Sequence, residues 1–416
     1  MMRRVLLYLA LAVVCPGAVL WAGPQSLGSP FTVSTCLDCT KELPQVAGTP
    51  AGSFLVVWQS ATGALGSTET VPARLFAASG APSSSEFPVD RRAASGQADG
   101  AVAADPQGNY VVVWAAKVDD QSDIFAQRYS ASGQSVGPLF QVSADDPAAT
   151  VPPDDFLPAV AKSADGGFAV AWVSLVPAGN FADGEPPRIL ARRFSPTGAP
   201  LGPPVQANQG LVSGDRPDVC VDTAGRPVVA WASVDEYLPF QPSHLGASAR
   251  RLTTTGALTG GEITVAAPTN NAAATAVACG PGNTFTVVWQ GDQGPLAQDR
   301  GEIFARRFTR NARPNGAAFR VNSGTAGDQG HPRVAYDPTG AFVVVWESRA
   351  TSGATGVFAR RFLGTGVPTG NDLAVDSPLD DTLSPEPSIA AIGNAGRFLV
   401  VWRDGRTHLF GRRFAP

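Results

Sequence analysis

Seven tryptophans set the frame for this chain. Trp58, Trp114, Trp172, Trp231, Trp289, Trp346 and Trp402 follow one another at intervals of 56, 58, 59, 58, 57 and 56 residues. Each closes an apolar run: FLVVW, YVVVW, FAVAW, PVVAW, FTVVW, FVVVW and FLVVW. A period this regular across 416 residues requires one supersecondary unit repeated into a single array rather than two or three unrelated domains.

The clearest copy of the unit is Gly340 to Gly366, GAFVVVWESRATSGATGVFARRFLGTG. Its apolar run of about five residues reads as a strand covered on both faces. A Gly or Asn stands six residues before each Trp, often in a D-P-x-G phrase such as Asp105 to Gly108 or Asp337 to Gly340. Pro presets φ and Gly supplies the left-handed position, so each phrase is a tight turn. Upstream lies a strand of small residues, for example Pro158 to Ala161, suited to a crowded centre. Downstream, I-F-A-x-R-F reads as a third strand, and a further Gly turn leads to an outer strand such as Phe140 to Val142.

Four antiparallel strands in each of seven units predict an all-β chain, a seven-bladed β-propeller. The chain ends just after a third strand, at Phe414, whereas Phe31 to Val33 has the pattern of an outer strand without a blade. The N-terminal strand is therefore expected to complete the last blade and close the ring, which also protects the sheet edges. The composition agrees: 45 Gly and 36 Pro favour turns over long helices. With its V-V-V-W and F-A-R-R-F phrases, the repeat resembles those of exported bacterial propeller proteins, most of which carry no assigned activity. The resemblance covers about residues 30 to 416, and its motifs are structural, so it implies fold and export but no catalytic residues.

Residues 1 to 22 pair a basic start (Arg3, Arg4) with an apolar run from Val5 to Val14 and then Pro16, Gly17 and Ala18. That is the pattern of a secretory signal peptide, leaving 23 to 416 as one propeller domain. The run is too short to span a bilayer, and the expected location is secreted or periplasmic. Lipid attachment at Cys15 is disfavoured by Val14. Removing Arg3 and Arg4 takes the net charge from −4 to −6, so there is no electrostatic footprint for nucleic acid.

Cys36, Cys39, Cys220 and Cys279 follow the leader. Cys36-x-x-Cys39 lacks a second ligand pair for zinc and reads as a local disulfide, whereas Cys220 and Cys279 are expected to be buried small apolar residues rather than a bridge. The seven Trp are expected to pack between blades, and the paired arginines (Arg192-Arg193, Arg250-Arg251, Arg306-Arg307, Arg360-Arg361, Arg412-Arg413) to bond neighbouring blades.

No H-E-x-x-H, G-x-S-x-G, P-loop or D-x-D-x-D-G phrase occurs. The segment Ser163 to Phe168 superficially resembles an Asp-box turn, but Trp172 lies too far along for that motif. The first functional expectation is a secreted binding or scaffold module for an extracellular protein or glycan, using the second-to-third-strand loops and inter-blade loops of one face. The alternative is a hydrolase or lyase acting on extracellular polysaccharide, which would show titratable residues converging near the central channel. On the loop face an acidic sector gathers Asp119, Asp120 and Asp123 with Asp145, Asp146, Asp154 and Asp155, approached by Asp183 and Glu185. The favoured reading there is a solvated acidic surface without a cofactor; the alternative is a Ca²⁺ site formed by Asp145, Asp146, Asp154 and Asp155.

Overall fold

The computed structural model describes residues 24–62, 68–90, 96–118, 121–143, 153–175, 187–212, 216–234, 237–238, 241–242, 245–267, 272–292, 301–379 and 383–416. They form seven antiparallel blades arranged in a ring, each running from an inner strand outward. Blade six shows the plan: Asp328–Tyr336 pairs with Phe342–Arg349, then Thr355–Phe362, then Leu373–Asp376. The V-V-V-W strands are longer than the apolar run alone, eight residues in blade six, because they continue past Trp into the loop face.

Every one of the seven Trp is at most 1% exposed. Each packs with apolar residues of the preceding blade: Trp114 joins Leu55, Val57 and Ala73 of blade one, and Trp58 joins Leu399 and Val401 of blade seven. The core is thus seven inter-blade seams, and the Trp bear the packing role read from sequence. Across the second and third strands, register partners Phe54/Phe76, Phe168/Phe194, Phe285/Phe308, Phe342/Phe362 and Phe398/Phe414 stack with centroids 4.7 to 5.1 Å apart.

The arginine pairs also bond as expected. The first of each pair reaches back to a carbonyl beside the previous blade's outer strand: Arg192 to Val142, Arg306 to Val265, Arg360 to Val321 and Arg412 to Val375, all at 2.8 to 3.0 Å. The second often reaches forward, as Arg307 does to Gly364 and Arg413 to Ala78. Alternating strand residues face opposite ways, which is why adjacent arginines serve opposite neighbours.

The N-terminal segment closes the ring. Gln25 and Ser26 pair with Ala415 and Phe414, and Phe31 and Thr32 pair with Gly411 and Phe410. Arg74 donates to Val33 O at 2.9 Å, so this segment occupies the place that an outer strand holds in the other seams. Buried Lys41 adds a clasp, its ammonium donating to the carbonyls of Cys36, Cys39 and Thr407.

Cys36 and Cys39 are joined, as the sequence suggested. The expectation for Cys220 and Cys279 is corrected: they form a disulfide between the inner strands of blades four and five, with Cα atoms 5.5 Å apart. Each is a buried or nearly buried small residue, but the ring sets the two close enough to bond. Two disulfides fit a chain that folds in an oxidising compartment. Among the described residues, no helix is long and apolar enough to cross a membrane.

Candidate functional site

The two ends of the central channel differ. At one end the turns between inner and second strands ring a cavity of about 430 Å³ lined by Pro50, Pro106, Pro281 and Pro338 among others. Its charges are held locally. Asp105 accepts from Asn109 N (2.8 Å) and pairs with buried Lys162 (2.9 Å); Asp337 accepts from Thr339 N (2.8 Å) and pairs with Arg361 (2.6 Å). The aspartates of the D-P-x-G phrases thus tie down turn N–H groups.

At the other end the inner strands of six blades carry a kink. Ladder register shifts fall between Glu42 and Gln45, Ala98 and Ala101, Phe156 and Ala159, Ala273 and Ala276, and Gly330 and Arg333. Leu43, Asp99, Leu157, Ala274, His331 and Glu386 have φ between 47° and 57°. Each lies five residues before the inner-strand residue opposite the start of the apolar run; the same count in blade four gives Arg216. The left-handed region costs a non-glycine residue about 1–2 kcal/mol, and such bulges re-aim side chains.

The re-aimed groups meet across blades. Arg216 of blade four donates from Nη2 to Asp99 of blade two at 3.1 Å, while Leu157 N of the intervening blade reaches the other Asp99 oxygen at 3.4 Å. His331 Nδ1 lies 2.7 Å from Glu347, whose second oxygen accepts from Ser384. Glu386 accepts from Leu43 N at 2.7 Å, and Arg403 reaches towards Glu386 (3.6 Å) and Glu42 (3.4 Å).

The titration of His331, Glu347 and Glu386 is displaced. The hydrogen bond that His331 donates to Glu347 raises its pKa against the pull of burial. Glu347 falls below the usual carboxylate value: burial acts to raise it, but His331 and Ser384 together outweigh that. Glu386 is pushed up by burial, with Arg403 opposing.

None of Asp99, Arg216, His331, Glu347, Glu386 or Arg403 was singled out from sequence. His408 stacks on Phe410, and the side chain of His244 lies outside the described residues. The signal was present once repeats are aligned on their turns: one strand position reads Leu, Asp, Leu, Arg, Ala, His, Glu.

Of the acidic sector, Asp119, Asp120, Asp145, Asp146, Asp183 and Glu185 lie outside the described residues. Asp123 accepts from Ser143 Oγ at 2.8 Å, and Asp154 from Ser122 N at 3.0 Å. Asp155 is only 3% exposed, and burial raises its pKa to about 7 against the effects of nearby Ser174, Trp172 and Ser143. Adjacent Asp154 and Asp155 therefore sit in different surroundings. Among the described residues no group of three or more His, Cys, Asp or Glu side chains has the arrangement to hold a metal ion.

These features define a seven-bladed β-propeller with a structurally uniform turn end and a chemically varied loop end. No family model matches the chain, and no curated protein sequence does. Among solved structures it is similar to a protein of unknown function from Dyadobacter fermentans DSM 18053, 10% identical, TM-score 0.57, covering 94% of this chain and 99% of that one. It is also similar to the Hadza microbial sialidase Hz136, 13% identical, TM-score 0.50, covering 87% and 76%. At such identities the likeness shows the fold alone.

Proposed function

We propose that this chain is an exported binding module that seats a polyhydroxylated ligand, the end of a glycan, at the loop-rich mouth of its channel. The observation that supports this reading is the bulge position itself. Six of the blades carry a left-handed residue at this position, yet the seven positions include Asp99, Arg216, His331 and Glu386, backed by Glu347 and Arg403. Carboxylates accept from vicinal hydroxyls and guanidinium groups donate to ring and hydroxyl oxygens, so such a ring suits a sugar. On a glycan array, Glu386→Gln and Asp99→Asn are expected to lose binding at least tenfold, while foreign sequence grafted into the turn Ser195 to Gly198 leaves it unchanged. Binding lost in a folded turn graft but kept in both mouth variants would sink the assignment.

One observation favours the second reading, a hydrolase or lyase acting on extracellular polysaccharide. Glu347 and Glu386, on neighbouring blades, have pKa values displaced in opposite directions, as acid and base partners require. Release of reducing or unsaturated ends from a polysaccharide panel, abolished by Glu386→Gln, would select it over simple binding.

A further inference from the structure

Just beneath the bulge ring, one to three residues further along the inner strands, lies a second cavity of about 140 Å³ lined by Arg216, Asp218, Thr275, Arg333, Gln45 and Ser388 among others. Room for one water takes only about 10–15 Å³ of such volume, so the chamber is ample for a small organic acid.

Its polar groups are incompletely used. Among the described residues, Arg333 makes one hydrogen bond, from Nη1 to the carbonyl of the preceding Pro332 at 3.2 Å, and the remaining guanidinium donors have no protein acceptor. Asp218 acts on it through space, but both Asp218 oxygens are already engaged, one by Val219 N and one by Val277 N, each at 2.8 Å. Among the described residues, Arg216 spends Nη2 on Asp99 and leaves Nη1 buried without a partner, and buried Thr275 Oγ1 has none.

Burial lowers the Arg333 pKa, but a guanidinium begins above about 12 and stays charged, so neutralisation by proton loss is closed to it. Arg333 is only partly buried, so its unfilled donors can be reached from the chamber, and a planar, forked donor set matches a carboxylate in two-point geometry.

We infer that this chamber is a carboxylate-binding site, in which Arg333, supported by Arg216 and Thr275, receives the acid group of a ligand seated in the mouth above. The inference rests on the mouth reading for the source of the acid, whereas the chamber's own affinity is tested apart from it. Free carboxylates and a sugar acid present the same group, and they are separable by experiment.

The probes are sodium acetate, sodium glucuronate and sodium chloride at matched ionic strength, read by thermal unfolding of the full mature protein. Acetate and glucuronate are expected to raise the melting temperature saturably, by roughly 5 °C at a hundredfold excess over Kd, and chloride not to. Arg333→Met is expected to show no acetate response. Thr275→Val retains the charge and is expected to weaken the acetate response several-fold, which keeps the test open should Arg333→Met not fold. No saturable acetate effect on the wild type, an equal effect of chloride, or an unchanged response in the folded variants would overturn the carboxylate site. An acetate response without a glucuronate response would overturn the sugar acid as its source and leave the mouth proposal to the glycan array.

Discussion

The two ends of one channel are built from the same seven inner strands, yet they obey different rules. At the turn end, charges close on near partners: Asp222 binds Arg226 four residues on, Asp337 binds Arg361 of its own blade, and Asp105 binds Lys162 of the adjacent one. At the loop end they reach across the ring, from Arg216 to Asp99 two blades away and from Arg403 to Glu42 of the next blade. A requirement of the blade recurs in blade after blade, whereas a requirement of the whole ring has to be met only once. Repetition within the chain therefore separates scaffold from site without any second sequence.

The largest effect should come from what both ends share, closure of the ring. Deleting Gly23 to Ser34 removes the strands that pair with Phe410 to Ala415, the Phe31 contacts with Phe54 and Phe76, and fully buried Val33. Losing one large buried apolar side chain alone costs about 3–5 kcal/mol, so a fall in melting temperature on the order of 10 °C is expected. A truncated protein that melts with the full mature chain would show that both ends hold without closure.

Asp337→Ala sharpens the contrast at the turn end. It leaves Arg361, 8% exposed, without the carboxylate 2.6 Å away and frees the turn N–H groups that Asp337 binds. Breaking a buried pair by removing one partner costs about 3–5 kcal/mol. Denaturant unfolding should show that loss while glycan binding of the folded fraction is unchanged. A binding defect larger than the folding defect would put the turn end into the site.

This division also explains what was legible. The Trp period, which every blade repeats, and the Gly turns and arginine pairs, which recur in most blades, were readable by repetition, and the closing strand because one outer strand was missing. The mouth was not, because its residues are scattered from Glu42 to Arg403 and become neighbours only through the ring. Blade seven also has a turn one residue longer than the Trp spacing implies, which shifts Glu386 out of alignment with His331. For Cys220 and Cys279, residue type suggested burial; it could not report a 5.5 Å Cα separation across a blade boundary.

The smallest effect is also the most specific to the loop end: its stability should titrate through His331. The His331 pKa is raised above its unfolded value of 6.5, so its contribution is complete below pH 6.5 and disappears as pH rises through the folded value. The pKa of Glu347 is lowered, so its contribution is present above pH 4.5 and lost as pH falls through its folded value. The pair is therefore fully effective between those limits. Glu386 runs the other way: its raised pKa gives a contribution present below pH 4.5 and lost as pH climbs through the folded value. Because about half of the His331 side chain is exposed, solvent screening holds the pair to roughly 0.5 kcal/mol. The test is His331→Asn, since Asn tolerates the left-handed bulge at φ 47° and removes the titrating charge without adding strain. Wild type should lose about 1–2 °C in melting temperature between pH 6 and pH 8 relative to this variant. Equal pH profiles for the two proteins would mean that His331 is a bulge residue and nothing more, and would leave the ionic character of the mouth to Asp99, Arg216 and Glu386.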